Sequence, residues 1–456
     1  MKLKTSSLLI CSLLLGATAI PAQAGNDAML TLFKVLRDKG DITEANYQLL
    51  VSAAKIDQQQ FDQLSQKLAD VEKKVASTEK ESTTVSLKGN HLKIKSADKT
   101  TTMKVGGRIM VDYALMDEDD LGNTGNASEF RRARLFVAGT AYNDFAYKLN
   151  IDFAGNATTI KDAYLQYNGW KPASFTLGHH DAPFSLETFT SSKYITFIER
   201  SAAESALTIG RRNGLSALSH GSNWSLKGMV HLEGIDNDGQ DEDEDYSQDE
   251  DYGYGLRATF APLHEKGKVL HIGAAAHHQE LEASGGDVAQ ISLRPEVHTP
   301  KKIFKSHKDT FQDYNTYGVE AATVLGSFSA QAEYFYRDYN GASGIDDQSL
   351  NTWYVYGSYF LTGESRPYSV KSGSFGRIKP KSVVGQGGHG AWEIGLRYSD
   401  IDLEDNGLGD KGDITTVGLN WYATPTIRFM ANYTSADVDG QSDDFETLHF
   451  RSQIDF

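Results

Sequence analysis

Four cations, Arg108, Arg132, Arg134 and Lys148, with Asp162 as a neighbouring acceptor, lie on the polar side of short segments whose character alternates residue by residue. Guanidinium and ammonium groups offer an oxyanion short, charge-assisted hydrogen bonds in place of its water. The plainer role for each is an ion pair with Asp112, Asp152, Glu187 or Glu199 that braces the fold. For the group together, a shared positive field is the better reading. Enzymatic chemistry has less support, since no Gly-x-Ser-x-Gly elbow occurs in the chain. Adjacent histidines, His179-His180 and His277-His278, point to opposite faces of a strand, so neither pair chelates by itself. No metal and no cofactor is expected.

Those residues need a scaffold of period two, and from about residue 102 the chain has one. Met103, Val105, Ile109, Val111 and Tyr113 share one face, with Lys104, Arg108 and Asp112 on the other. Leu149, Ile151 and Phe153 oppose Lys148, Asn150 and Asp152. Trp224, Leu226, Val230 and Leu232 oppose Lys227, Met229 and His231, and Ile394 and Leu396 oppose Glu393 and Arg397. One apolar and one ionic face suits a sheet over a core, or a barrel with lipid outside and water inside. Connection lengths favour the barrel. Tight turns at 143–144, 169–171, 221–223, 262–267, 326 and 423–425 alternate with longer loops such as 234–251, 279–313, 338–349 and 402–412. Trp170, Trp224, Trp392 and Trp421 lie near the tight-turn ends, where an aromatic girdle belongs. The expected fold class is all-β, a transmembrane antiparallel barrel over residues 86–456 of about sixteen strands, closing on a last strand that ends at Phe456. Side chains cannot fill a lumen of that size, so a channel remains.

Residues 1–24 read as a cleaved export signal: Lys2 and Lys4, an apolar stretch from residue 8 to 20, then Ala22-Gln23-Ala24. Cys11 falls inside it, so the exported chain uses no disulfide. Removing two lysines from 45 basic and 61 acidic residues leaves a formal charge of −18, which argues against nucleic acid as a partner. Residues 25–85 read as helical. Phe61, Leu64, Leu68, Val71 and Val75 step by three and four, the seam of a short coiled coil. A turn and helix start are expected at 40–44, with Thr43 as cap. The seam serves either a helix packed on its own chain or an oligomerisation stalk.

Nine motifs in order resemble the phosphate-selective porin O and P family: Glu129-Phe130-Arg131-Arg132-Ala133-Arg134-Leu135, Lys161-Asp162-Ala163-Tyr164, Ala182-Pro183-Phe184-Ser185-Leu186-Glu187, Thr196-Phe197-Ile198-Glu199-Arg200, Gly210-Arg211-Arg212-Asn213-Gly214, Leu361-Thr362-Gly363-Glu364-Ser365-Arg366, Ala391-Trp392-Glu393 with Leu396-Arg397-Tyr398-Ser399, Asn420-Trp421-Tyr422, and Arg451-Ser452-Gln453-Ile454-Asp455-Phe456. The resemblance implies an outer-membrane homotrimer of sixteen-stranded barrels, in contact with lipid and lipopolysaccharide, that passes small anions such as phosphate. It implies that 181–211, 279–313 and 362–389 fold inward to narrow the lumen. It also adds Arg131, Lys193, Arg200, Arg211 and Arg212 to the pore-lining set. In a lumen ringed by guanidiniums, an acceptor such as Asp162 is placed to receive a proton from monohydrogen phosphate.

Two features depart from that picture. Only Arg132 and Arg134 alternate, where a long row of arginines is expected. Segment 236–251 carries ten acidic residues, which would repel phosphate unless divalent cations cover them; a solvated loop is the simpler reading. A general pore without anion preference and a surface-binding barrel therefore stand as alternatives. Conductance separates the pore from the surface binder, and reversal potential separates anion from cation preference.

Overall fold

The computed structural model describes residues 22–88, 91–116, 125–156, 158–232, 251–281, 287–441 and 444–456. They form two units that divide after Ser82. In the first, helix α1 (Ala22–Asp38) turns at Gly40, whose φ of 82° suits glycine, into helix α2 (Glu44–Glu81). Thr43 caps α2, its hydroxyl accepting a hydrogen bond from the Asn46 amide at 3.3 Å, in the turn where the sequence placed it. Residues 1–21, most of the expected export signal, lie outside the described residues.

The second unit is a closed antiparallel barrel. Its strands are β1 (Thr102–Met116), β2 (Ala127–Ala141), β3 (Phe145–Asp152), β4 (Thr159–Tyr167), β5 (Ser174–Asp181), β6 (Arg211–His220), β7 (Trp224–Leu232), β8 (Tyr252–Glu265), β9 (Lys268–Glu280), β10 (Asp309–Leu325), β11 (Phe328–Gly341), β12 (Gln348–Phe360), β13 (Ala391–Asp402), β14 (Lys411–Tyr422), β15 (Ile427–Val438) and β16 (Phe445–Asp455). Each pairs with its neighbours, and β16 pairs with β1 from Thr447↔Met116 to Asp455↔Arg108. Sixteen strands close with every edge satisfied, the only arrangement besides a helix that hydrocarbon tolerates. A hairpin of Thr84–Lys88 and His91–Lys95 pairs with β1 beyond that seam, Leu92 opposite Val105. It takes up the edge of β1 that β16 leaves when it ends.

Alternation places the apolar residues outside: Phe130, Leu177, Val230, Leu396 and Val417 are at least half exposed. The alternate positions hold buried Asp112, Arg257, Glu320, Arg397, Asn420 and Arg451. Trp392, Trp421 and Phe429 stack in sequence at 5.7 and 5.4 Å, and Trp170 stacks on Phe175 at 5.5 Å, all on the end of the short turns. One turn differs from the expected 262–267. β8 continues to Glu265 and the turn is only Lys266-Gly267, because a bulge between Phe260 and Leu263 absorbs Pro262, which has no amide to donate. The external strand ends also run further than expected, leaving 342–347 and 403–410 as the connections.

Three segments fold into the lumen and narrow it, as the resemblance implied. Residues 182–210 carry two short helices, α3 (Leu186–Phe189) and α4 (Ala202–Leu207). Phe184, Phe197, Ala203 and Leu207 bury themselves against wall residues Phe335, Tyr354 and Tyr356. Glu333 of β11 accepts from the amides of Leu186 (2.8 Å) and Glu187 (2.9 Å), satisfying the open start of α3, while Arg337 donates to the Leu207 carbonyl at the end of α4 (2.9 Å). Residues 291–306 place Val297 and Phe304 in the same cluster. Residues 362–390 enter from the short-turn end, with Phe375 buried near Leu186.

Candidate functional site

The wall supplies its cations through two bulges in adjacent hairpins. Between Met110 and Val111 the register slips, so that Arg132 opposes the first and Phe130 the second, and Arg131 is the extra residue. Strict alternation would have turned Arg131 to lipid. The bulge turns it inward, beside Arg132 and three residues from Arg134. A second slip, between Asn150 and Ile151, makes Lys161 the extra residue, with Asp162 opposite Asn150. Lys161 then faces the charges of Arg134, Asp152, Arg211 and Arg131.

Three guanidiniums converge on Glu199 of the inward segment. Arg131 binds it through two bonds of 2.9 Å, Arg451 approaches to 2.5 Å and Arg132 to 3.5 Å. Arg451 also forks onto Asp112 at 2.6 Å, and His449 lies 3.0 Å from that carboxylate. Burial alone would raise the Glu199 pKa, but Arg131, Arg132 and Arg451 overrule it and hold the carboxyl well below its ordinary value. Arg134 pairs with Asp152 at 2.7 Å. Lys148 reaches Asp162 at 2.8 Å, and Arg211 bridges Asp162 (3.4 Å) and Asp181 (3.1 Å). Lys193 lies 3.7 Å from Asp455, whose other partner is Arg377. Arg200 donates to the carbonyls of Glu187, Thr188 and Thr190 and stands 3.8 Å from Glu204.

The ten residues singled out by sequence therefore divide. Arg131, Arg132, Arg134, Lys148, Asp162, Lys193, Arg200 and Arg211 all have an ion-pair partner and brace the fold. Arg108 does not: it donates to the Ser192 hydroxyl at 2.6 Å and has no carboxylate at ion-pair distance among the described residues. Among the described residues Arg212 donates only to the Arg211 carbonyl, at 3.1 Å. Lys161 likewise has no ion pair among the described residues.

Two cavities lie among these side chains. One of about 220 Å³ is lined by Arg131, Arg200, Arg294, His298, Glu199 and Glu296. Another, of about 330 Å³, includes Lys148, Lys227, Arg257, Lys371, Asp162 and Asp181. Lys227 donates to the Asp181 carbonyl at 2.6 Å and has no carboxylate partner among the described residues. Sequence reasoning missed Lys161 and the wall arginines Arg257, Arg337, Arg428 and Arg451, although period two places the last four on the polar face. It also missed Glu296, which the inward segment presents to Arg397, to Ser399 (2.6 Å) and to Thr416 (2.7 Å). No periodic signal marks that residue. The histidines form no cluster of three or more potential metal ligands among the described residues. His231 and His277 face each other across the lumen wall, Nε2 to Nε2, at 2.9 Å. The acidic run 236–250 lies outside the described residues.

A sixteen-stranded barrel with an apolar outside, an ionic inside and segments folded in to narrow it is a transmembrane pore. The chain belongs to the phosphate-selective porin O and P family, whose model matches residues 103–456. It is similar to Porin O of Pseudomonas aeruginosa, 31% identical over 389 residues that cover 76% of this chain and 86% of that protein. It is equally similar, at 31% over 348 residues, to an uncharacterized protein of Caulobacter vibrioides, covering 74% of this chain and 69% of the other. Among solved structures it shares its fold with outer-membrane-expressed OmpT of Vibrio cholerae, at a TM-score of 0.51 and 11% identity over 78% of this chain and 98% of that one. OprB of Pseudomonas putida matches at 0.51 and 10% over 79% and 95%. The protein is a porin of the bacterial outer membrane, a channel and not an enzyme.

Proposed function

We propose that the pore prefers small anions, oxyanions such as phosphate among them, and works as a homotrimer embedded in outer-membrane lipid and lipopolysaccharide. The carrying observation is that Arg108, which donates to Ser192 of the inward segment, and Lys161, at the wall bulge facing the charges of Arg134 and Arg131, have no carboxylate at ion-pair distance among the described residues. Around them most carboxylates are already shared between two or more cations, as Glu199, Asp162 and Asp455 are. The excess is positive, and in a narrow, low-dielectric lumen it favours anions. Asp162 is held by Lys148 and Arg211, so its service as a proton acceptor for monohydrogen phosphate requires those contacts to open. Bracing is the first role of the paired residues, and the unpaired cations set the field.

The test is the reversal potential of the purified protein in a planar bilayer under a potassium chloride gradient. Chloride preference is expected, with inhibition of the chloride current by added phosphate. Arg108→Gln with Lys161→Gln should lower that preference several-fold. A cation-preferring wild type sinks the proposal. An anion-preferring wild type whose selectivity the double variant leaves unchanged relocates the field to other residues.

A further inference from the structure

The heptad of α2 changes surroundings halfway along. Tyr47, Leu50 and Ala54 hold the same heptad positions toward the helix start, on the half flanked by α1 and with Ala54 buried, and Asp57 interrupts the seam before Phe61. From Phe61 the same seam is bare: Phe61, Leu64, Leu68 and Val71 are 45, 62, 39 and 58% exposed. Lipid does not account for them, because no helix among the described residues is apolar enough to cross a membrane and the seam is flanked by Asp62, Lys67, Asp70, Glu72 and Lys73. Four large apolar side chains in a row at heptad spacing on a helix with charged flanks call for a matching seam.

We propose that this half of α2 forms a parallel, three-stranded coiled coil with the same segment of two further copies of the chain. The inference rests on the trimer proposed above and adds how the helices meet. With Phe61 and Leu68 at a and Leu64 and Val71 at d, Lys67 falls at g and Glu72 at e of the next heptad. In a parallel coil, g of one helix faces the following e of its neighbour, so Lys67 meets Glu72 of the adjacent copy. The sequence repeats the spacing one heptad on, with Lys74 and Glu79. An antiparallel coil would set g against g and e against e, lysine against lysine and glutamate against glutamate. Charge therefore selects the parallel arrangement. Packing at the layer of Leu68 and Val71, leucine at a with a β-branched residue at d, favours three or more strands, and the proposed trimer fixes the number at three. A three-fold axis makes the helices parallel by symmetry.

The experiment uses the full-length protein in detergent, with single cysteines Leu64→Cys, Val71→Cys and Lys73→Cys and the unsubstituted chain as control for its one cysteine, Cys11. Mild oxidation should link most chains in pairs for both seam variants and few for Lys73→Cys, which faces away. An antiparallel seam aligns at most one of the two d positions with itself, so linkage at one alone overturns the orientation. Lys67→Glu should slow linkage at position 64, and adding Glu72→Lys should restore it. Light scattering on the same samples separates the two readings. A trimer mass without linkage at either site overturns the coiled coil and leaves the trimer standing. A dimer mass overturns the three-stranded form, and a monomer mass overturns the trimer itself.

Discussion

Arg131 and Glu199 meet through two parallel hydrogen bonds of 2.9 Å, one partner from a bulge in the barrel wall and the other from the segment folded inside it. Because Arg132 and Arg451 share the same carboxylate, Glu199 is the point at which the inward segment is tied to three places on the wall. Glu199→Gln keeps the shape and removes the charge, leaving three guanidiniums crowded without their common counter-ion. Loss of a buried partner of this kind costs roughly 3–5 kcal/mol. The variant should unfold at lower urea concentration, followed by tryptophan fluorescence, and its anion preference should rise. Unaltered stability would show that the segment is held elsewhere.

How the barrel became legible is clear from residues such as Leu226 and Lys227. Their alternation follows directly from the strand's two-residue period, and lipid and water on opposite sides keep it regular along every strand. The same rule failed at Arg131 and Lys161, because an inserted residue has no signature in a pattern read by counting. Only the partner strand, with Met110 and Asn150 opposite, reveals the slip. The inward segments were legible through family motifs alone. Glu296 and Glu333 matter through contacts with residues 21 to 148 positions away, set by how the loops pack and not by any local preference.

Arg134 and Asp152 form a closed pair at 2.7 Å, with the Ala133 amide also donating to Asp152 at 3.0 Å. If the pair only braces the wall, removing both charges leaves the net field unchanged. Arg134→Gln with Asp152→Asn should therefore keep the reversal potential of the wild type, while Arg134→Gln alone should move it toward cations. The single change exposes an uncompensated carboxylate to the lumen. A double variant that behaves like the single one would give Arg134 a direct part in ion contact.

Lys193 gives the pore a dependence on pH. Burial lowers its pKa to about 8, Arg108 pushes in the same direction, and Asp455 opposes both. A lysine is charged below its pKa and neutral above it, so raising the pH from about 7 to about 9 removes a positive charge from the lumen. Anion preference should fall across that interval and recover on return. Lys193→Gln should start from the lower preference and show a smaller step. Titration of the reversal potential in both proteins checks it, and a step of undiminished size in the variant belongs to other groups.

Closure of the barrel depends on Gly107, whose amide donates to the Phe456 carbonyl at 2.7 Å and whose own carbonyl accepts from the Phe456 amide at 3.1 Å. A side chain there would meet the Arg134 carbonyl at 2.5 Å and the Phe456 ring at 2.8 Å. The neighbouring Gly106 is as tight, with the Phe456 carbonyl at 2.5 Å from a Cβ placed on it. Both contacts involve backbone, which cannot rotate away as a flexible side chain can. Gly107→Val should therefore force β1 from its partners where β16 arrives to seal the sheet, leaving unpaired edges that hydrocarbon does not tolerate. The expected result is a fall in the fraction of protein that keeps its compact, fast-migrating form on unheated gels. Phe456→Ala combined with Gly107→Ala should recover part of that fraction, because it removes the ring that the new methyl meets. Failure of the combination to improve on Gly107→Ala alone would assign the defect to the Arg134 carbonyl contact with β2 instead of the seam.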